Sequence, residues 1–269
     1  MNLKRSSELD IMAEAATINR EALEAVAAAI APGVSTATLN AIAEDAILER
    51  GATPAFKGYR GFPATLCTSV NEVVVHGFPT ETPLRTGDIL SVDIGVFYRG
   101  YAADMAKTFA IGTISSKAKK LIDVTEASFY AGAAAALVGN RLGDISAAIQ
   151  AVIEKAGFWV VREFVGHGIG SEFHEAPEVP NFGTAGKGPR LRPGLVLAIE
   201  PMVTEHRTHI TILDDGWTAP TADGCLAAHY EHTLAITEDG PRILTAPDQS
   251  PQRPEALQAR VVEGGVYGT

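Results

Sequence analysis

The chain has 269 residues, 32 of them acidic and 22 basic, for a net charge of -10 and a pI near 5.2. That balance argues against a general nucleic-acid or acidic-membrane binder. An apolar share of 46% with 20% charged residues fits an ordinary globular protein, and Cys67 and Cys225 make no disulfide framework. No charge-free apolar run is long enough for a bilayer span or a signal peptide, so a cytoplasmic location is expected.

In chain order, residues 7–31 read as a helix, with Ser7 and Asp10 at its start, Leu9, Met12, Leu23, Val26 and Ile30 recurring, and Pro32-Gly33 as its stop. A second helix is expected from Ser35 to Arg50, capped by Gly51. Loop residues 51–63 and short strands around 64–76 follow, then Leu84-Arg-Thr-Gly-Asp-Ile-Leu-Ser-Val-Asp93 and a hairpin. The second half begins alike: an Ala-rich helix from Ser115 or Ser116 to about Leu137, another from Asp144 to Gly157, and an apolar strand over Phe158 to Val161. A Gly-rich stretch leads to Leu191-Arg-Pro-Gly-Leu-Val-Leu-Ala-Ile-Glu200, and a last strand is expected near Tyr230 to Ile236.

The two ten-residue phrases lie 107 positions apart and share Leu, Arg, Gly and Leu in register. The order of helix, helix, strands and carboxylate strand therefore occurs twice. This predicts a single α+β domain over residues 1–250, with halves at about 7–110 and 115–245 around one mixed sheet, and a polar, frayed tail over 251–269.

Each phrase ends an apolar strand on a carboxylate, which is costly unless paired or metal-bound. Asp93 and Asp104 flank Phe97-Tyr-Arg-Gly100, and a turn centred between Tyr98 and Arg99 would set them opposite one another with Cβ atoms roughly 5 Å apart. Like charges so placed need a cation or a shared proton. Glu200 joins them through the repeat, and Glu231 leads into the last strand; taken singly, either is more often an ordinary strand-edge acid than a ligand. His167 sits in Val165-Gly-His-Gly-Ile-Gly170, whose glycines allow close backbone approach but lack dinucleotide-binding spacing. Gly183-Thr-Ala-Gly-Lys-Gly188 likewise matches no phosphate loop. His76 and His174 stand in informative settings, though a lone His after an apolar strand is often structural. His206, His209, His229 and His232 have none of their own.

About four negative charges would be balanced by two divalent cations, and the oxygen-rich set favours Mn, Fe or Co over a sulfur-bound structural Zn. With no His-Glu-x-x-His and no Gly-x-Ser-x-Gly present, dinuclear-metal hydrolysis is the chemistry left.

Those residues, with Ser69-Val-Asn-Glu-Val-Val-Val-His-Gly77, Val92-Asp-Ile-Gly95, Gly100 to Asp104, Gly166-His-Gly-Ile-Gly170, Phe173-His-Glu175, Ile199-Glu-Pro-Met202, Asp215-Gly-Trp217 and Tyr230-Glu-His-Thr233, resemble the bacterial type I methionine aminopeptidase family over about residues 10–245. The resemblance implies a pita-bread fold: two pseudo-symmetric halves around a mixed, largely antiparallel sheet with helices outside. It implies two divalent ions (Co, Mn, Fe or Zn) held by Asp93, Asp104, His167, Glu200 and Glu231, with Glu200 also the general base. His174 would hold the scissile carbonyl, His76 would contact the peptide, and Tyr59, Phe62, Cys67, Phe173 and Trp217 would take the first side chain, where aromatic edges and a thiol suit a thioether. The implied activity is removal of the initiator methionine from nascent peptide N-termini when the next residue is small.

Phe56, Phe62 and His229 depart from what relatives commonly carry. Residues 204–224 hold Arg207 but no Lys, so any ribosome contact is expected to be weak or transient. No nucleic-acid or membrane partner is implied, a short form without a zinc-finger extension is expected, and no stripe suggests dimerisation, so a monomer is expected. The competing readings are an Xaa-Pro peptidase or creatinase-like hydrolase, a binding module on a dead peptidase fold, and a dinuclear phosphoesterase.

Overall fold

Helices begin where side chains cover the free amides of the first turn. Ser35 Oγ accepts from the Thr38 amide at 3.2 Å, and Ser115 Oγ from the Ala118 amide at 3.1 Å. Glu8 and Asp144 work from inside the first turn, accepting from the amides of Arg5 and Arg141 at 2.7 Å each, so Asp144 is the third residue of its helix rather than the opening one.

The computed structural model describes residues 1–263. Its first half comprises α1 (Ser6–Ala29), α2 (Thr36–Glu49), β1 (Thr53–Pro54), β2 (Leu66–Val70), β3 (Val73–Val75), β4 (Ile89–Tyr98) and β5 (Tyr101–Ala110). The second half follows with α3 (Ser116–Ala135), α4 (Leu142–Lys155), β6 (Trp159–Val160), β7 (Gly166–Gly168), β8 (Glu175–Val179), β9 (Val196–Ile199) and β10 (Met202–Thr204). It continues through β11 (Ala219–Pro220), β12 (Ala227–His229), β13 (Glu231–Thr237), β14 (Gly240–Ile243) and α5 (Pro254–Glu263). The main sheet runs β1-β4-β5-β13-β9-β7-β8, with β2 on β4 and β14 on β13, and all of these neighbours pair antiparallel. This is the α+β pita-bread architecture expected. One apolar core lies between α1, α2 and the first half's strands (Met12, Leu39, Leu66, Ile94), and another between α3, α4 and the second half's strands (Phe129, Ile145, Leu197, Leu234).

The sequence repeat is a structural repeat. Arg85-Thr-Gly-Asp88 and Arg192-Pro-Gly-Leu195 both close a turn, the fourth amide donating to the first carbonyl at 3.1 and 3.2 Å. The third residues, Gly87 and Gly194, have φ of +104° and +84°, which a side chain would strain. Both glycine amides then donate across their own half, to Ile111 O just past β5 and to Ile236 O in β13, at 2.9 Å each.

Two expectations are corrected. The β4–β5 turn is Arg99-Gly100, both at positive φ (+49° and +83°), as a two-residue hairpin with the right-handed strand twist requires. Tyr98 therefore pairs with Tyr101, and Asp104 faces Gly95 while Asp93 faces Ala106. The two carboxylates are diagonal neighbours on one face, not directly opposite. Second, the frayed tail is in part a docked helix. Pro254 starts α5, Leu257 and Val261 are buried in the second core, and the Arg260 guanidinium lies 4.0 Å from the Tyr130 ring centroid. Residues 264–269 of that tail lie outside the described residues.

Candidate metal centre

Read across the sheet, β4, β5, β13, β9 and β7 supply one candidate ligand each. Asp93, Asp104, Glu231 and His167 lie on their strands, and Glu200 follows the end of β9. The five line one cavity. His167 Nε2 is 3.8 Å from Asp104 Oδ2 and 3.6 Å from Glu200 Oε1. Ligand atoms of Asp104, His167 and Glu231 lie within 4.8 Å of one another, and those of Asp93, His229 and Glu231 do the same.

Local packing fixes these aims. A Cβ on Gly166 would sit 2.4 Å from Ala198 O, and one on Gly168 would sit 2.7 Å from Ala176 O, so only glycines let β7 lie this close to its neighbours with His167 between them. His167 Nδ1 is 2.9 Å from the Gly168 carbonyl, leaving Nε2 for the cavity. Thr233 Oγ1 accepts from the Asp104 amide at 2.9 Å and donates to its carbonyl at 2.8 Å, pinning β5 to β13 beside the acids. Asn181 Nδ2 holds the Glu200 carbonyl at 3.0 Å.

The charge pattern is that of a cage for cations. Burial pushes the Asp93 carboxyl up to about 7, and burial plus neighbouring acids push Asp104, Glu200 and Glu231 well above the usual range. Burial lowers His167 to about 4 and His229 to about 3, so both imidazoles are neutral at pH 7, as ligation requires. Asp93 Oδ1, Asp104 Oδ1, Glu231 Oε1 and His229 Nε2 are buried without a hydrogen-bond partner. Buried polar atoms left bare are rare, and bare acceptors around one space fit divalent cations.

The substrate-side candidates share the cavity. Tyr59, Phe62, Cys67, His76, Phe173, His174 and Trp217 line it, together with Phe56. Phe62 packs edge-on against Trp217 at 5.2 Å, and Phe56 against Phe173 at 5.4 Å. A Cβ on Gly95 would come within 2.7 Å of Phe173 and 2.9 Å of Phe56, so this glycine makes room for that wall. Cys67 faces Asp93 across β2–β4, and burial with the adjacent acids keeps its thiol protonated. His76 has φ +62° and sits edge-on to Phe164 and Trp217, and burial lowers its imidazole to about 4.

Two arrangements escape the sequence. Tyr59 is more than an apolar wall, because its hydroxyl lies 2.9 Å from His174 Nδ1. Lys4, before the first helix, makes a buried ion pair with Glu175, next to His174, at 2.5 Å. Nothing in the local pattern around Lys4 marks that role. Of the remaining histidines, His206 pairs with Asp223 at the surface, at 2.9 Å, and His209 is exposed. His232 points away from the cavity into a buried chain with Tyr230 and Thr245. Only His229 turns toward the acids. Among the described residues no helix is long and apolar enough to cross a membrane.

The profile of metallopeptidase family M24 matches residues 10–238. The methionine aminopeptidase of Clostridium perfringens is 54% identical over 90% of this chain and 98% of its own length, and methionine aminopeptidase 1 of Bacillus subtilis is 50% identical over 90% and 98%. The crystal structure of methionine aminopeptidase from Thermotoga maritima superposes with a TM-score of 0.90 at 42% identity, covering 91% of this chain and 99% of that one. Prolidase from Pyrococcus furiosus, at 22% identity, a TM-score of 0.72 and 66% of its own length covered, shares the fold alone. Matched along nearly its whole length by such relatives, the chain belongs to the type I methionine aminopeptidases of metallopeptidase family M24.

Proposed function

We propose that this metal-dependent exopeptidase removes methionine from the N-termini of nascent proteins when the second residue is small, using two divalent ions. One observation carries the reading. Five side chains from five neighbouring strands meet in a buried acidic space with bare acceptors, and that space opens onto an aromatic pocket with a thiol. Asp93, Asp104, His167, Glu200 and Glu231 would hold the ions, Mn, Fe, Co or Zn, with availability rather than this ligand set deciding which. When bound, such ions act as Lewis acids and make water more acidic.

The chain's own groups account for the rest. Phe62, Phe173, Trp217, Tyr59 and Cys67 surround a slot suited to an unbranched thioether, with sulfur–aromatic contact favouring methionine over leucine. Glu200, desolvated and with a raised proton affinity, takes the proton of the attacking water and passes it to the leaving amine. His174 Nε2–H donates to the oxygen of the scissile carbonyl as charge develops there, while Tyr59 donates to Nδ1 and so fixes that tautomer. His76, neutral at pH 7, contacts the peptide at its reacting end. The partner is the nascent N-terminus, with any ribosome contact weak.

The test is cleavage of Met-Ala-Ser, Leu-Ala-Ser and Ala-Pro-Ser peptides by purified protein supplied with each of the four ions. Release of methionine alone is expected. Cleavage confined to the proline peptide would replace this reading with an Xaa-Pro peptidase.

A further inference from the structure

His229 stands outside the five-ligand set yet copies the placement of His167. It is 2% exposed, its Nε2 has no hydrogen-bond partner, and that atom lies 3.7 Å from Glu231 Oε2 and 3.9 Å from Glu200 Oε2. His167 Nε2 stands 3.6 and 3.8 Å from its own carboxylate oxygens. These separations exceed a hydrogen bond. They approach the roughly 3.4 Å expected between two donors each about 2.1 Å from one tetrahedral ion. The backbone holds the ring in place, since the His229 amide donates to Thr108 Oγ1 and the Thr108 hydroxyl donates to the His229 carbonyl, both at 2.9 Å. Thr108 belongs to β5, the strand that carries Asp104. An imidazole nitrogen buried bare among carboxylates is costly unless something binds it.

We propose that His229 is a sixth metal ligand, so that each ion has its own imidazole: His167 with Asp104, Glu200 and Glu231 on one, His229 with Asp93 and Glu231 on the other. This rests on the two-ion reading above and deepens it. A second nitrogen donor steepens the preference for Co(II) over Mn(II) at the Asp93 ion, because imidazole favours the later, softer metals and carboxylate the harder ones.

The experiment titrates the metal-free full chain and its H229Q and H229A variants with Co(II), following visible absorption. It also counts the hyperfine-shifted imidazole N–H resonances of the Co(II)-loaded proteins in water and in D2O. Wild type should bind two Co(II) and show two exchangeable imidazole signals. Both variants should keep the first ion, bind the second at least about tenfold more weakly, and show one signal, tenfold being the scale on which even outer partners of a metal site act. In wild type, Co(II) should exceed Mn(II) in second-ion affinity by a larger factor than in H229Q. One imidazole signal in doubly loaded wild type, or an unchanged second affinity in both variants, overturns the ligand role. The wild-type signal count stands even if the variants misfold. A wild type that binds no ion and cleaves no methionyl peptide sinks the two-ion reading itself. One that binds two ions and cleaves, with a single signal, sinks only the role of His229.

Discussion

At the scale of single residues, the cavity separates groups that would hold ions from groups that would handle the peptide. Asp104 is 3% exposed, backbone-pinned by Thr233, and central in the acid cluster. Asp104→Asn removes a charge the ions would share, so metal content after loading and turnover should both fall to near background. Full metal uptake in that variant would place Asp104 outside the centre. His174 lies at the cavity mouth with Tyr59 behind it. His174→Ala should leave metal content unchanged and lower kcat by roughly a hundredfold or more, as loss of one oxyanion donor does. Tyr59→Phe should act in the same direction but more weakly, because it frees the His174 tautomer without removing the donor. If kcat in Tyr59→Phe matches wild type, the hydroxyl does not orient the ring.

At the scale of elements, glycines set how closely strands approach. A Cβ on Gly77 would lie 2.3 Å from Thr68 O, where the Thr68 amide donates to the Gly77 carbonyl at 2.7 Å. Gly77→Ala should push His76 off β2 and destabilise the fold by about 2 kcal/mol or more, the cost of backbone overpacking. Thermal melting of the variant reads this directly, and an unshifted melt would mean that the strand end relaxes freely. The helices and the doubled Arg-Gly turns were legible because period, caps and a shared phrase are local signals. The β4–β5 register was not legible. It turns on whether Arg99-Gly100 alone or Phe97 to Gly100 makes the bend, and only positive φ at Arg99 decides that. The helix at 254–263 carried a readable signal, with proline first and Leu257 and Val261 four apart, but its amphipathic stripe is only two residues wide.

At the scale of the whole molecule, the acid cluster couples stability to pH. Asp93 rises from an ordinary 3.8 to about 7 on folding, and its neighbours shift the same way. Below about pH 4 both states keep these protons. Between there and about 6.5 the acids' release of protons on unfolding is opposed by the buried histidines His76, His167, His229 and His232, whose lowered imidazoles take up protons on unfolding, so the ion-free protein loses stability with rising pH above about 6.5, where the acids act alone. In chelator, Tm at pH 8.0 should lie below Tm at pH 7.0, and excess divalent ion should abolish or reverse that gap. A higher Tm at pH 8.0 in chelator would rule out a strained cage. Asp93, Asp104 and Glu200 were legible from the sequence, because buried carboxylates at strand ends and the repeat of Asp93 as Glu200 are unusual, whereas Glu231 and His167 entered through the family resemblance. The inward turn of His229 and the Tyr59–His174 contact were not, since both depend on strand order and loop path rather than on spacing.

Where the halves join, β5 meets β13 through Glu231 opposite Ala106 and His232 opposite Met105, with Thr233 bridging to Asp104. That junction is short, and mutually repelling acids stand beside it. Bound cations would thus serve as rivets as well as reagents, drawing together two lobes along this join. Chelation should loosen amide protons along this join sooner than those within either lobe's hairpin, which makes metal supply a control on cohesion and not solely on turnover.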